Sequence, residues 1–132
     1  MAFVHGSKTV VTVNAVDLTA FTKTSTLEND VDIHDVTGGG ATAHAYFAGL
    51  LDGTFTMSGT YDGGASGPRA TLEPLQGTST TVIRKPEGTA TGKPQQSFTA
   101  LVKKYTETDP VDGMITWSCD FQISGAITRT TQ

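Results

Sequence analysis

Residues 31–40 read VDIHDVTGGG. Asp32, His34 and Asp35 fall close together, just ahead of Gly38, Gly39 and Gly40. Carboxylates beside an imidazole are the residue types of a metal site or of an acid/base pair. The glycines behind them could form a substrate loop. The spacing argues otherwise. Side chains alternate between the two faces of an extended strand. Asp32 and His34 therefore share a side with Glu28 and Asp30, and Asp35 points the other way. This is an acidic stripe on the polar face of a strand, more than a convergent set of ligands. A catalytic zinc needs about three protein ligands, gathered from several segments. His44 lies beyond the glycines, but nothing in the spacing requires it to join.

Other stretches fail similar tests. GTATGKP at 88–94 superficially looks like a phosphate loop. That motif has four residues between its glycines, and a Ser or Thr after its Lys to hold magnesium. Here only Thr89, Ala90 and Thr91 separate Gly88 from Gly92, and Pro94 follows Lys93. A surface loop is the expectation. Cys119 sits between Trp117 and Phe121 in an apolar pattern, which predicts a buried, inert thiol. Lys103-Lys104 and Arg84-Lys85 would make a basic patch on neighbouring strands, but alternation splits each pair between faces. No constellation meets the geometric requirements of an enzyme site. No cofactor and no metal are expected.

The chain has 132 residues, a length that suits one domain spanning 1–132 with one core. Hydrophobic residues make up 36% and charged residues only 17%, with 15 glycines and abundant threonine. Such a composition favours β structure with many turns. The net charge of −4 carries no general nucleic-acid signature. The charge is unevenly placed: residues 1–66 hold Lys8 and Lys23 against seven acids, and residues 67–132 hold seven bases against six acids. That asymmetry is compatible with head-to-tail self-association. One cysteine excludes an intrachain disulfide framework. MAFVHGSKT lacks a basic stretch followed by an apolar one, so no signal peptide is expected, and no apolar run reaches the roughly 20 residues of a membrane span.

The elements that position these residues follow from periodicity. In MITWSCDFQISGAI at 114–127, Ile115, Trp117, Cys119, Phe121, Ile123 and Ile127 share one face, the mark of a half-buried antiparallel strand. In 50–61, Phe55, Met57 and Tyr61 oppose Thr54, Thr56, Ser58 and Thr60. Residues 8–14, 79–85 and 97–106 also read as strands. So do residues 22–36, with Asn29-Asp30 as a turn or bulge that could split the run into a hairpin. Residues 67–76 start a short helix at Pro68 and end it before Gly77, and 41–47 are a second helical candidate. Residues 86–94 and 107–113 read as loops. The expectation is a mainly β fold: an antiparallel sandwich or barrel of about six or seven strands with one or two short flanking helices.

Taken in order, several stretches resemble the major tail tube proteins of long-tailed bacteriophages. VNAVDLTAF at 13–21 is similar to the family's opening strand and short helical turn. DIHDVTGGGATAHAYFAGLLDGTFTMSGTYD at 32–62 is similar to its next block: Asp-Val-Thr, a glycine loop, an aromatic before a small-Gly-Leu turn, then a long strand ending in aromatic-Asp. GPRATLEPLQG at 67–77 resembles the helix that follows, and RKPEGTATGKPQ at 84–95 with MITWSCDFQISGAI completes the series. The resemblance spans roughly residues 9–127, and the ordered series carries it rather than any single motif.

The resemblance implies a non-enzymatic virion protein. Its subunits would form hexameric rings that stack into a hollow tube, with inner strands joined around a channel through which DNA leaves the capsid. Its partners would be copies of itself and other tail proteins: tape measure, terminator, and baseplate or tip. DNA would pass without sequence-specific binding, no membrane would be involved, and assembly would take place in a bacterial host cytoplasm. Glu28, Asp30, Asp32 and His34 become candidates for a face toward the channel or a neighbouring subunit. Gly38, Gly39, Gly40, Gly88, Gly92 and Lys93 become candidates for ring-stacking loops, since glycine leaves 36–44 and 86–95 few internal contacts. Two alternatives remain at this stage. One is a capsid-decoration or head–tail joining protein. The other, less favoured, is a carbohydrate-binding β-sandwich module, which would display exposed aromatics where this sequence puts them on apolar faces.

Overall fold

The computed structural model describes residues 3–132. Seven strands account for most of it: β1 (Val10–Val13), β2 (Val16–Asp17), β3 (Thr22–Asp35), β4 (Tyr46–Thr60), β5 (Ser79–Lys85), β6 (Pro94–Thr108) and β7 (Thr116–Thr131). They form one antiparallel sheet in the order β2-β1-β5-β6-β7-β4-β3. One helix, α1 (Pro68–Leu72), continues into a 3-10 turn at Glu73–Leu75. Pro68 begins the helix, where a missing N–H costs nothing, and Pro74 prevents its extension. The mainly antiparallel β architecture matches the expectation from alternation.

The sheet works as two layers that share their longest strands. β5 pairs with β6 from Ser79↔Leu101 to Arg84↔Gln96. β4 pairs with β7 only from Thr54↔Gln122 to Thr60↔Thr116. So β6 and β7 run through both halves; β7 carries extra residues between Ser124 and Thr128, opposite Ser97 and Thr99, and β6 carries one between Val102 and Lys104. Bulges bend a strand and add twist. Phe55 of β4 meets Phe98 of β6 at 5.5 Å between ring centroids, across a core that β7 does not separate. Val11, Val13, Val82, Phe98, Trp117, Cys119 and Phe121 join Phe55 and Met57 in one buried cluster, and Leu72 of α1 closes it. Burying each large side chain stabilises by roughly 1.5–3 kcal/mol. Trp117 Nε1 donates to the Phe21 carbonyl at 3.2 Å, tying the start of β3 to β7.

Three local expectations fail, each for a physical reason. Residues 41–47 form no helix: Val36 N donates to Ala45 O at 2.9 Å and Ala45 N to Thr37 Oγ1 at 2.8 Å, closing a hairpin loop, and Tyr46 and Phe47 already belong to β4. Asn29-Asp30 does not split its run, because β3 is continuous from Thr22 to Asp35. The irregularity falls two residues later, where Val31↔Leu51 is followed by Ile33↔Ala48, so that Asp32 opposes both Gly49 and Leu50. Lys103 and Lys104 are not split between faces. The bulge between Val102 and Lys104 interrupts alternation, so both lysines are exposed between buried Val102 and half-buried Tyr105.

Candidate functional site

The layer made by the C-terminal half of β6, the N-terminal half of β7, β4 and β3 has a regular cross-strand register. Its inner rows read Val102–Phe121–Phe55–Leu27 and Tyr105–Cys119–Met57–Ser25. Its outer rows read Leu101–Gln122–Thr54–Glu28, Lys104–Asp120–Thr56–Thr26 and Thr106–Ser118–Ser58–Thr24. The outward face is therefore dominated by hydroxyls, with Glu28 on β3, Lys104 on β6 and Asp120 beside that lysine on β7. Trp117, Phe55 and Phe121 are buried and Tyr61 is half-buried, so these four aromatics belong to the core and do not form a sugar platform on this layer.

Both borders of this layer are bare. Among the described residues β3 pairs with β4 alone, leaving its outer backbone edge free along its length. On the other side, the neighbours of β6 end at the Gln76↔Val102 bridge, where Gly77 N donates to Val102 O and Val102 N to Thr78 O. Beyond it, among the described residues, Lys103–Thr108 pairs only with β7. An unpaired edge is a template for a further strand. β3 and the end of β6 run in opposite directions within the layer, so two copies set side by side would continue the antiparallel order.

The β3–β4 hairpin outruns the layer. β4 leaves β7 at Thr54, and the hairpin from Asp30 to Asp52 stands as an arm of two strands. Gln122 clasps its base: Nε2 donates to Asp52 Oδ1 at 2.8 Å and to Gly53 O at 3.0 Å. The arm exposes Val31, Ile33, Tyr46, Phe47, Leu50 and Leu51, with Leu50 at 81% and Phe47 at 68%. Two strands alone are marginally stable in water, and this much exposed apolar surface marks a contact surface.

Glu28, Asp30, Asp32 and His34 all lie exposed on β3. A Cβ added to Gly49 would meet Asp32 Cβ at 3.0 Å and His34 Nε2 at 2.7 Å, so Asp32 and His34 flank one position on the same side. Asp35 stands apart. Its carboxylate accepts from Thr37 N at 2.9 Å, and hydrogen bonds from the Thr37 side chain and then its backbone hold the carboxyl below its usual range. His44 Nδ1 lies 3.8 Å from Asp35 Oδ2, with both side chains exposed. Among the described residues no group of three or more His, Cys, Asp or Glu is placed to hold a metal. Burial first, and then the Asp120 charge, push the Cys119 thiol up to about 12.

Gly38, Gly39 and Gly40 are exposed at the arm tip. Gly88, Gly92 and Lys93 lie in the β5–β6 connection, and their setting differs from the few contacts expected there. Gly92 N donates to Gln132 O at 2.7 Å, Gln132 N to Lys93 O at 2.9 Å, and Gln132 Nε2 to Gly88 O at 2.7 Å. Periodicity missed the apolar arm and the open end of β6. The adjacent pairs Tyr46-Phe47 and Leu50-Leu51 were the available signal for the arm, since a core-facing strand would alternate.

No protein-family model matches the sequence, and no curated protein does. Solved structures do. The chain is similar to a subunit of the tail of an empty gene transfer agent particle refined with C6 symmetry, with a TM-score of 0.78 and 12% identity, over 97% of this chain and 99% of that one. It is similar to the SPP1 tail tube, with a TM-score of 0.81 and 11% identity, over 98% of this chain and 80% of that one. The tube-terminating cap of the anti-feeding prophage matches with a TM-score of 0.76 and 12% identity, over 100% of this chain and 93% of that one. At such identities these likenesses establish the fold, which is the fold of tail tube subunits.

Proposed function

We propose that this chain is the subunit of a phage-type tail tube, a structural virion protein and not an enzyme. The observation that carries the reading is the four-stranded layer with two bare edges of opposite direction, in a chain with the tail tube fold. In a ring, the free edge of β3 in one subunit takes up Lys103–Thr108 of the next. This is a heterologous contact, and rotation closes it. Six copies of four strands, spaced about 4.8 Å and tilted about 40°, close at a backbone diameter of roughly 48 Å, which leaves a channel for a DNA duplex. The core side of the layer faces outward and the hydroxyl rows face the channel. Glu28 and Asp30 lie on that face, and Asp32 and His34 continue it into the arm. A face of mainly hydroxyls, with Lys104 set beside Asp120 and carboxylates along β3, gives DNA phosphates little to bind, so DNA slides without sequence recognition.

Rings stack along the axis. The arm reaches beyond its own layer, and its apolar residues are covered by a subunit of the adjoining ring. Gly38, Gly39 and Gly40 at the arm tip, and Gly88, Gly92 and Lys93 at the β5–β6 turn, are the proposed stacking contacts. The remaining partners are other proteins of the virion tail, with assembly in the host cytoplasm.

Purified protein, concentrated and viewed by negative-stain microscopy, should show sixfold rings and stacked tubes. Persistent monomer at high concentration, and in lysate of cells producing the particle, would overturn the reading. The likeness to a tube-terminating cap supports a second reading, a subunit that closes the tube. Immunogold label along the tail favours the tube, and label confined to one end favours the cap.

A further inference from the structure

The bulge that turns Lys103 and Lys104 to the same face leaves them on the open edge of β6, while Glu28, Asp30 and Asp32 stand on the open edge of β3. We infer that these residues form the charged seam between neighbouring subunits of a ring, with Lys104 of one subunit opposite Asp30 of the next. The inference rests on the tube reading and specifies its register.

Symmetry sets that register. Subunits related by rotation alone sit at equal height, while the strands of a closed barrel tilt by about 40°. A four-stranded layer is about 19 Å wide, so the neighbour is slid by about 16 Å along the strands relative to the extension of a row. That is between about four and five residues, and only an even shift keeps the polar faces on one side, so the shift is about four.

Its direction follows from handedness. Tyr61 lies on the core-facing side of its strand's continuation and donates its N–H to Ile115 O, so inward-facing residues of β4 bond toward β7. Val102, inward on β6, bonds away from β7 to residues 77 and 78, which agrees. For L-residues this puts β6, β7, β4 and β3 from left to right, seen from the core side with β3 running upward. Barrel strands coil right-handed and rise to the right in that view. The neighbour beyond β3 is therefore displaced toward the C-terminal end of β3. The row through Lys104 meets β3 at Thr26. Four residues on from Thr26 is Asp30. Glu28 and Asp32 become the diagonal neighbours of Lys104, Thr106 faces Glu28, and Thr108 faces Thr26.

Such a seam also selects against wrong assemblies. Two β3 edges would bring carboxylates together, whereas the head-to-tail pairing sets Lys104 against Asp30, so the electrostatics favour the contact that closes a ring. The lysines also neutralise part of the acidic stripe, so the channel is lined mainly by hydroxyls.

The test combines wild-type assembly with paired substitutions. Oxidation of assembled D30C/K104C should give a non-reducing gel ladder that ends at the hexamer, since directly opposed residues suit a disulfide. T26C/K104C, the register without the slide, should give none. D30K alone should lose the sedimenting tube fraction, and D30K/K104D should recover it. The seam is overturned if wild-type protein forms rings while T26C/K104C cross-links in place of D30C/K104C, or while D30K assembles as wild type does. If wild-type protein forms no ring, the tube reading falls, and the seam with it.

Discussion

Gln122 and Asp52 are joined by a 2.8 Å hydrogen bond at the point where β4 parts from β7 and the arm begins. Gln122 bonds the Gly53 carbonyl as well, so one side chain fastens the arm base to the layer. The exposed side of the clasp limits its worth to about 1 kcal/mol. Gln122→Ala should lower the melting temperature by roughly 3–6 °C for a domain of this size. It should also speed amide exchange at residues 46–53, while exchange at Phe55 and Met57 stays slow. Uniformly faster exchange across the sheet would assign Gln122 to the core instead.

Gly59 occupies the crossing of β3, β4 and β7. An added Cβ would overlap the Phe21 carbonyl oxygen, the same oxygen that accepts from Trp117 Nε1. Overlap with backbone has no flexible side chain to yield, so Gly59→Ala should destabilise by about 3 kcal/mol or more. Gly39→Ala, at the arm tip with open space around it, should be nearly neutral. Chemical denaturation of the two variants checks this, and equal effects would contradict the close approach.

The contrast between those glycines bears on how much of the fold could be read beforehand. Where alternation is unbroken, as in Ser79–Lys85 or around Trp117, Cys119 and Phe121, strand and inward face both follow from residue type alone. Alternation fails at the bulges. One extra residue at Gly49-Leu50 and another at Lys103 change which side the next residues face, and neither leaves a mark in composition. The arm was hidden for a related reason. Its residues carry no inside or outside of their own chain to alternate between, so residues 41–47 looked helical. The acidic stripe of Glu28, Asp30, Asp32 and His34 was legible as a face, but the open edge of β6 exists only once Gln76↔Val102 ends the β5 side.

Alkaline pH should destabilise the fold through two buried protons. Burial, and then Asp120, push the Cys119 thiol up to about 12. Burial, then the neighbouring Glu107, also raise the Tyr105 hydroxyl. A native pKa raised above the unfolded one contributes stability that is complete below the unfolded value and is lost as pH rises toward the native value. For the thiol that window opens near the unfolded value of about 8.5 and runs toward 12. The melting temperature should be flat from about pH 6 to 8 and fall above about pH 9, and Cys119→Val should fall less steeply. An equal slope in the variant would exclude the thiol as a cause. In the native protein a maleimide at neutral pH should leave Cys119 unmodified, and denaturant should make it reactive.

Phe47 and Leu50 give the sharpest separation of folding from assembly. Both are exposed, at 68% and 81%, and Phe47 lies across from His34 on an arm that contributes nothing to the core cluster. F47S/L50S should therefore change monomer stability by no more than about 0.5 kcal/mol. If the arm is covered by a neighbour, the same change removes two side chains that each contribute roughly 1.5–3 kcal/mol of burial. A loss of about 3 kcal/mol raises the concentration needed for assembly by roughly a hundredfold. Sedimentation velocity across a concentration series, set beside the melting temperature, reads both effects at once. Unchanged assembly would remove the arm from the ring-to-ring contact. A large drop in melting temperature would mean instead that the arm folds back on its own subunit.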